Sequence, residues 1–245
     1  MPRWAMVIDL DKCVACQGCS IACRQENNTP AVGPDQAAMG RALRWNDVVP
    51  LPLNQLEDPD TLEDYRNASA RYLTRPCMHC DNPPCIKVCP VQATYIDEEG
   101  LVRQDYNRCI GCRFCTVACP YGVRYFNWEE PPWSPELARH INPDYVSENG
   151  SLEGPAVRPK GVVEKCTFCI HRLQKARQRA DAEDREFRAE DYRPACVQTC
   201  TAQARFFGDL EDPNSTVNRL ARSTRAFRML EEVGTHPKVI YLREG

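Results

Sequence analysis

Apolar positions along the chain come in short runs rather than long stripes, and most of the runs read as strands. Met6-Val-Ile-Asp-Leu10 is the first and Leu43 to Leu53 the second. Ala93-Thr-Tyr-Ile-Asp-Glu-Glu-Gly-Leu-Val-Arg103 predicts a hairpin, with two β-prone pieces around a turn that ends at Gly100. Tyr121 to Phe126, Thr201 to Phe207 and Lys238 to Leu242 predict three further strands. The last should pair with the core or a partner, because a free strand edge leaves backbone groups unpaired. Helical signals are fewer. Asp60 to Ala70 predicts a short helix with Thr61 in capping position. Ile170 to Ala195 is dominated by Arg, Lys, Asp and Glu with no Gly or Pro before Pro194, which predicts an exposed helix laced with ion pairs. Pro213-Asn-Ser215 followed by Val217, Leu220, Ala221, Phe227 and Leu230 predicts a capped helix from Thr216 to Glu232.

Two interruptions separate these elements. Arg24 to Arg75 carries Pro30, Pro34, Pro50, Pro52 and Pro59, and residues 127–160 are rich in Pro, Trp and Asn. Segments of that length usually have a task or a partner, so the first is expected to dock another subunit or to pack over the core. Trp128 and Trp133, in the second, are expected to pack within the chain. No run approaches the roughly 18 apolar residues of a membrane helix, so the chain is not expected to span a membrane. The opening apolar run is short and meets Asp9, Asp11 and Lys12, which does not predict a signal peptide.

Composition changes the picture at one residue type: 16 of 245 residues are Cys. They fall into four tight groups. Cys109-x2-Cys112-x2-Cys115-x3-Cys119-Pro120 is the ungapped run by which bacterial ferredoxins ligate [4Fe-4S] clusters, its fourth cysteine serving the other cluster of a pair. Cys13, Cys16, Cys19 and Cys23 repeat the spacing. Cys77, Cys80, Cys85 and Cys89 repeat it with a loop enlarged by Pro83 and Pro84, and Cys166, Cys169, Cys196 and Cys200 repeat it with a long gap in the middle. A disulfide framework suits small secreted chains rather than this one. Zinc needs four ligands in pairs, and the third cysteine two residues on is not zinc spacing. A nucleic-acid surface is excluded by the interleaved acids and a formal charge of −3. No Ser-His-Asp set, P-loop or glycine-rich dinucleotide fingerprint is present, and no catalytic residue is expected.

Third and fourth cysteines four residues apart share one face of a helical turn, so one turn can link two neighbouring clusters. Groups two and three are nineteen residues apart and form a compact pair, which leaves groups one and four to each other. The expected fold is therefore α+β, with two bacterial-ferredoxin-like dicluster modules, one inserted in the other. Residues 1–30 and 161–210 are the halves of the outer module, 31–70 an insertion, 71–127 the inner module, 128–160 a loop insertion and 211–245 a C-terminal helix and strand. The expected ligand sets for four [4Fe-4S] clusters are Cys13, Cys16, Cys19 with Cys200; Cys166, Cys169, Cys196 with Cys23; Cys77, Cys80, Cys85 with Cys119; and Cys109, Cys112, Cys115 with Cys89. Each cluster would add about two negative charges. Lys12, Arg108 and Lys165 stand directly before three of the groups, either to offset that charge or as solvated surface bases. His79 is expected not to be a ligand, since four cysteines surround it.

The order and spacing of the groups, with Met6-Val-Ile-Asp-Leu-Asp-Lys-Cys13, Cys119-Pro-Tyr-Gly-Val123 and Glu164-Lys-Cys-Thr-Phe-Cys169, resemble the four-cluster iron-sulfur subunits of the dimethyl sulfoxide reductase and polysulfide reductase group of molybdopterin oxidoreductase complexes. The resemblance covers residues 1–30, 70–126 and 160–212. It implies a hetero-oligomer in which this chain wires a molybdopterin catalytic subunit to a quinone-reactive membrane subunit, the Cys13 cluster nearest the former and the Cys109 cluster nearest the latter. It also implies a peripheral membrane location, at the cytoplasmic face or exported with a signal-bearing partner. Alternatives are a soluble polyferredoxin and a complex without molybdenum, of the alternative complex III type. Two departures stand out: Thr201 follows Cys200 where the family usually has proline, and no membrane helix of the membrane-bound formate dehydrogenase kind is found.

Overall fold

A computed structural model of the chain describes residues 2–52, 70–131, 139–145 and 157–243. Its organising element is β1 (Trp4–Asp9), whose six residues are all buried. Side chains alternate across a strand, so Trp4, Met6 and Ile8 enter the main core while Ala5 and Val7 enter a smaller one. Pairing comes from the far end of the chain. With β8 (Arg205–Asp209), β9 (Ala226–Phe227) and β10 (Val239–Leu242), β1 builds a sheet of order β8-β1-β10-β9. β10 runs parallel to β1, with Met6 opposite Val239 and Asp9 opposite Leu242, and β8 runs antiparallel, with Met6 opposite Phe207. The expected terminal strand is thus an interior one.

Three two-stranded pieces complete the strands. β2 (Asn46–Pro52) pairs with β3 (Ala70–Pro76), β4 (Thr94–Ile96) with β5 (Val102–Gln104), and β6 (Tyr125–Phe126) with β7 (Val163–Glu164), all antiparallel. The second pair is the expected hairpin. Gly100 lies at its turn with φ +72, which glycine alone adopts freely. Helices are short, and those beside the cysteines span Gly18–Glu26, Pro84–Lys87, Phe114–Ala118, Ile170–Ala182 and Ala195–Gln198. Mixed helix and sheet content accords with an α+β class.

Several elements differ from their sequence expectation. The helix expected over Ile170 to Ala195 stops at Ala182, because Asp184 turns left-handed at φ 49 and Arg185 then bonds Glu183 and Asp191. Charges read as pairs along a helix face instead close a turn. The helix expected to reach Glu232 covers only Thr216–Ala221, capped by Ser215 as expected, its Oγ accepting from Asn218 N–H at 3.0 Å. Ala226 and Phe227 pair with β10 instead, where the Phe227 ring lies 5.6 Å from that of Tyr241. Strand pairing wins there over helix propensity. The strands expected at Tyr121 and Thr201 start four residues late, after turns at Gly122 (φ 62) and Gln203 (φ 48). The helix expected at Asp60 lies outside the described residues, except Ala70, which opens β3. Trp133 lies outside them as well.

Two clamps join segments distant in sequence. Glu26, ending the first helix, receives His171 Nε2 at 2.7 Å and Arg172 Nε and Nη2 at 2.5 and 2.6 Å. Burial alone would raise its carboxyl, yet these bonds hold it down at about 2. The second clamp is wholly buried. Arg158 pairs with Glu164, donates to the carbonyls of Asn27 at 2.6 Å and Asn28 at 3.0 Å, and lies against the Trp45 ring, 4.7 Å from its centroid.

Arg158→Met should therefore lower stability by about 3–5 kcal/mol, since it leaves a buried carboxylate without its partner. Thermal unfolding followed by circular dichroism checks this, and adding Glu164→Gln should restore part of the loss.

Candidate metal centres

A shared backbone device opens each cysteine group. The residue before the second cysteine is left-handed in all four: Ala15 at φ 53, His79 at 43, Gly111 at 66 and Phe168 at 56. Outside glycine that conformation costs about 1–2 kcal/mol, and alternation of right- and left-handed residues turns successive N–H groups into a concave nest for an anion. Only Gly111 announces the device in the sequence. A Cβ there would lie 2.1 Å from the Gly161 carbonyl oxygen and 2.9 Å from the Phe126 ring, so close approach requires glycine as well.

The thiols gather across groups. Cys13, Cys16, Cys19 and Cys200 line one cavity together. Cys23 lies among Cys166, Cys169 and Cys196, and all four are buried. Cys80 neighbours Cys77, Cys85 and Cys119, while Cys115 neighbours Cys109 and Cys112. For Cys89 the close partners are backbone groups of Val91, Ala93 and Thr94, and its place with the Cys109 group rests on chain spacing. The sets are also electrostatic neighbours of one another, Cys196 of Cys19, Cys166 of Cys77, and Cys115 of Cys85. The thiols thus form one continuous file. Its two ends reach the surface, where Cys16 and Cys112 are the exposed cysteines.

Burial drives these thiols upward, Cys80 and Cys169 to about 12 and Cys115 to about 11. Such groups are poor anions alone, but a bound metal deprotonates a thiol outright. Donors for sulfur anions are in place. Backbone N–H groups of Ala93, Ala204 and Phe168 reach the sulfurs of Cys89, Cys200 and Cys166 at 3.2, 3.3 and 3.4 Å. Asn27 Nδ2 lies 3.7 Å from both Cys23 and Cys169 sulfurs. No ligand spacing singles out Asn27. Its signal is an amide four residues after Cys23, just past the end of the same helix. Among the described residues no three His, Cys, Asp or Glu groups converge on a single metal ion. Thiolates that each bind a different iron of one cubane stand farther apart. The donor set fits [4Fe-4S] clusters.

The bases before the groups divide. Lys165 is buried and donates to the carbonyls of Val102 and Cys166, the latter at 2.9 Å. Lys12 lies over the Phe206 ring at 5.5 Å, and exposed Arg108 pairs with Asp105 at 3.3 Å. His79 is buried, with Nδ1 accepting from Val102 N–H at 3.2 Å and Nε2 donating to the Cys166 carbonyl at 3.0 Å. Both ring nitrogens are engaged, and burial keeps the ring neutral.

Residues 68–134 match the model of the 4Fe-4S dicluster domain family. The iron-sulfur cluster-binding subunit of menaquinone reductase from Nitratidesulfovibrio vulgaris is 43% identical over 98% of this chain and 88% of its own length. The putative dimethyl sulfoxide reductase iron-sulfur subunit of Halobacterium salinarum is 40% identical over 99% and 79%. One chain of the polysulfide reductase of Wolinella succinogenes is 30% identical over 97% and 92%.

Gly111→Ala should push Gly161 aside and lower stability by about 1–3 kcal/mol, through backbone strain and overpacking. Iron per chain should fall with it. Ala15→Gly, which relieves the same conformation in the first group, should leave iron content unchanged, and metal analysis of the two variants checks the contrast.

Proposed function

The chain belongs to the iron-sulfur subunits of dimethyl sulfoxide, polysulfide, menaquinone and arsenate reductase-type molybdopterin oxidoreductase complexes, and on that premise we propose that it is the wire between a molybdopterin catalytic subunit and a quinone-reactive membrane subunit. Its cofactors are [4Fe-4S] clusters, four by the count of 16 cysteines. Bound clusters supply one-electron oxidation and reduction. The chain supplies position, burial and charge.

On this proposal Cys13, Cys16, Cys19 and Cys200 hold one cluster, and Cys166, Cys169, Cys196 and Cys23 the next. Cys77, Cys80, Cys85 and Cys119 hold the third, and Cys109, Cys112, Cys115 and Cys89 the fourth. The inner module is then residues 71–127, inserted between the outer halves 1–30 and 161–210. The observation that carries the proposal is the file of thiols with one exposed cysteine at each end.

Apolar side chains flank both ends at matching positions. Val14 and Ile21 are 66% and 69% exposed beside Cys16, and Ile110 and Val117 are 66% and 80% exposed beside Cys112. Large apolar groups held in water around an exposed ligand suit faces that a partner covers. We assign the Cys13 end to the catalytic subunit and the Cys109 end to the membrane subunit. Among the described residues no helix is long and apolar enough to cross a membrane.

Native purification should recover the chain with a molybdopterin subunit and a membrane subunit, with about sixteen irons per chain. A free monomer would sink the wire. Cys119→Ser should disturb the Cys77 cluster first in electron paramagnetic resonance, and loss of the Cys109 cluster alone would overturn the ligand pairing.

A further inference from the structure

Two buried arginines stand outside the ligand assignment and share one sequence position. Arg124 follows Cys119 by five residues, and Arg205 follows Cys200 by five. They are 6% and 5% exposed. A buried charge without an opposite partner costs several kcal/mol, so the partners of these two are informative.

No carboxylate meets either guanidinium among the described residues. Neutral groups hold them instead. Arg124 Nη2 donates to Thr94 Oγ1 at 3.0 Å and Gln104 Oε1 at 2.7 Å, while its Nε and Nη1 have no oxygen or nitrogen partner among the described residues and the Cys85 thiol lies within reach of the guanidinium. Arg205 Nη2 donates to Asn46 Oδ1 at 2.6 Å, and Nη1 lies 3.6 Å from the Met6 sulfur. The anion-forming groups they face are thiols. For Arg124 these are Cys85, Cys115 and Cys77, and for Arg205 they are Cys196 and Cys19, with the buried Tyr241 phenol beside them donating its hydroxyl to the Thr74 carbonyl at 2.9 Å. Arg205 also lines the cavity of Cys13, Cys16, Cys19 and Cys200. Each arginine therefore stands between the third cysteines of two groups: Cys85 and Cys115 in one case, Cys19 and Cys196 in the other.

We propose that Arg124 and Arg205 are fixed counter-charges set between the two clusters of each module, and that Gln104 and Asn46 orient them without neutralising them. The inference rests on the ligand assignment above. An amide supplies the same acceptor oxygen as a carboxylate but leaves the guanidinium charge for the cluster. The foremost thiol neighbours, Cys85 and Cys196, belong to the two interior clusters, whose own thiols are mostly buried. Burial disfavours the extra negative charge that reduction brings. A cation placed there lifts the interior clusters toward the potentials of the exposed ends, and the file is spared an uphill step in its middle.

The test is a redox titration of the native complex followed by electron paramagnetic resonance. Gln104→Glu keeps Arg124 and the side-chain volume while adding the missing carboxylate. It should make the Cys77 and Cys109 clusters harder to reduce by at least tenfold in the reduction equilibrium, which is about 59 mV for one electron. The larger change should fall on the Cys77 cluster, and the Cys13 and Cys166 clusters should move less than tenfold. Arg124→Gln should act the same way, and Arg124→Lys should retain most of the wild-type potential. Asn46→Asp and Arg205→Gln should produce the mirror pattern, with the Cys166 cluster most affected. Unchanged potentials, or an equal shift of all four clusters, would overturn the inference. Fewer than four clusters in the wild type would instead overturn the assignment beneath it. Gln104→Glu also secures the test if Arg124→Gln fails to load iron.

Discussion

Four thiolates around a cubane core of charge about +2 leave roughly two negative charges on each cluster, and nine of the sixteen thiols that would carry them are buried. Taking such charge out of water is costly unless dipoles and cations replace the lost solvent. The chain meets that constraint at three levels. Left-handed residues at one register of every group form the kind of turn from which anion nests are built, single N–H and amide donors reach individual sulfurs, and buried cations stand near them. The helices that carry Cys85, Cys115 and Cys196 are only four or five residues long, a single turn each.

The remaining architecture keeps these loops in place. β1 leads directly toward Cys13 and is buried on both faces. The Arg158 clamp joins residues 27 and 28 to Glu164, tying the stretch after Cys23 to the stretch before Cys166. Glu26 does the same between the first helix and the helix after Cys169. Both clamps lie where the two halves of the proposed outer module would meet, and they hold residues 26–28 against residues 158–172 across the long excursion between Cys23 and Cys166.

The cysteine groups were legible because ligand spacing is a local constraint written in one residue type. The hairpin at Gly100 and the Ser215 cap were legible for the same reason. What failed was set by a distant strand in one case and by a local turn in the other. Helix propensity through Phe227 gave way to pairing with β10, and an ion-rich run past Ala182 folded into a turn. Lys12, Arg108 and Lys165 looked alike in sequence, yet only Lys165 is buried, since only it is covered by the β5 segment. Arg124 and Arg205 carried a readable signal, an equal offset from the last cysteine of two groups, but a lone Arg near a strand ordinarily reads as surface.

The parallel pairing of β1 with β10 also fixes an order of events in synthesis. The strand that leads into the first cysteine group has its two neighbours at residues 205–209 and 239–242, so it leaves the ribosome well before either of them and finds its place late. Until residue 242 has emerged, the apolar side chains of Trp4, Ala5, Met6, Val7 and Ile8 and the open thiol loop beyond them remain without their sheet. The closure of that segment waits on the strand that completes the sheet.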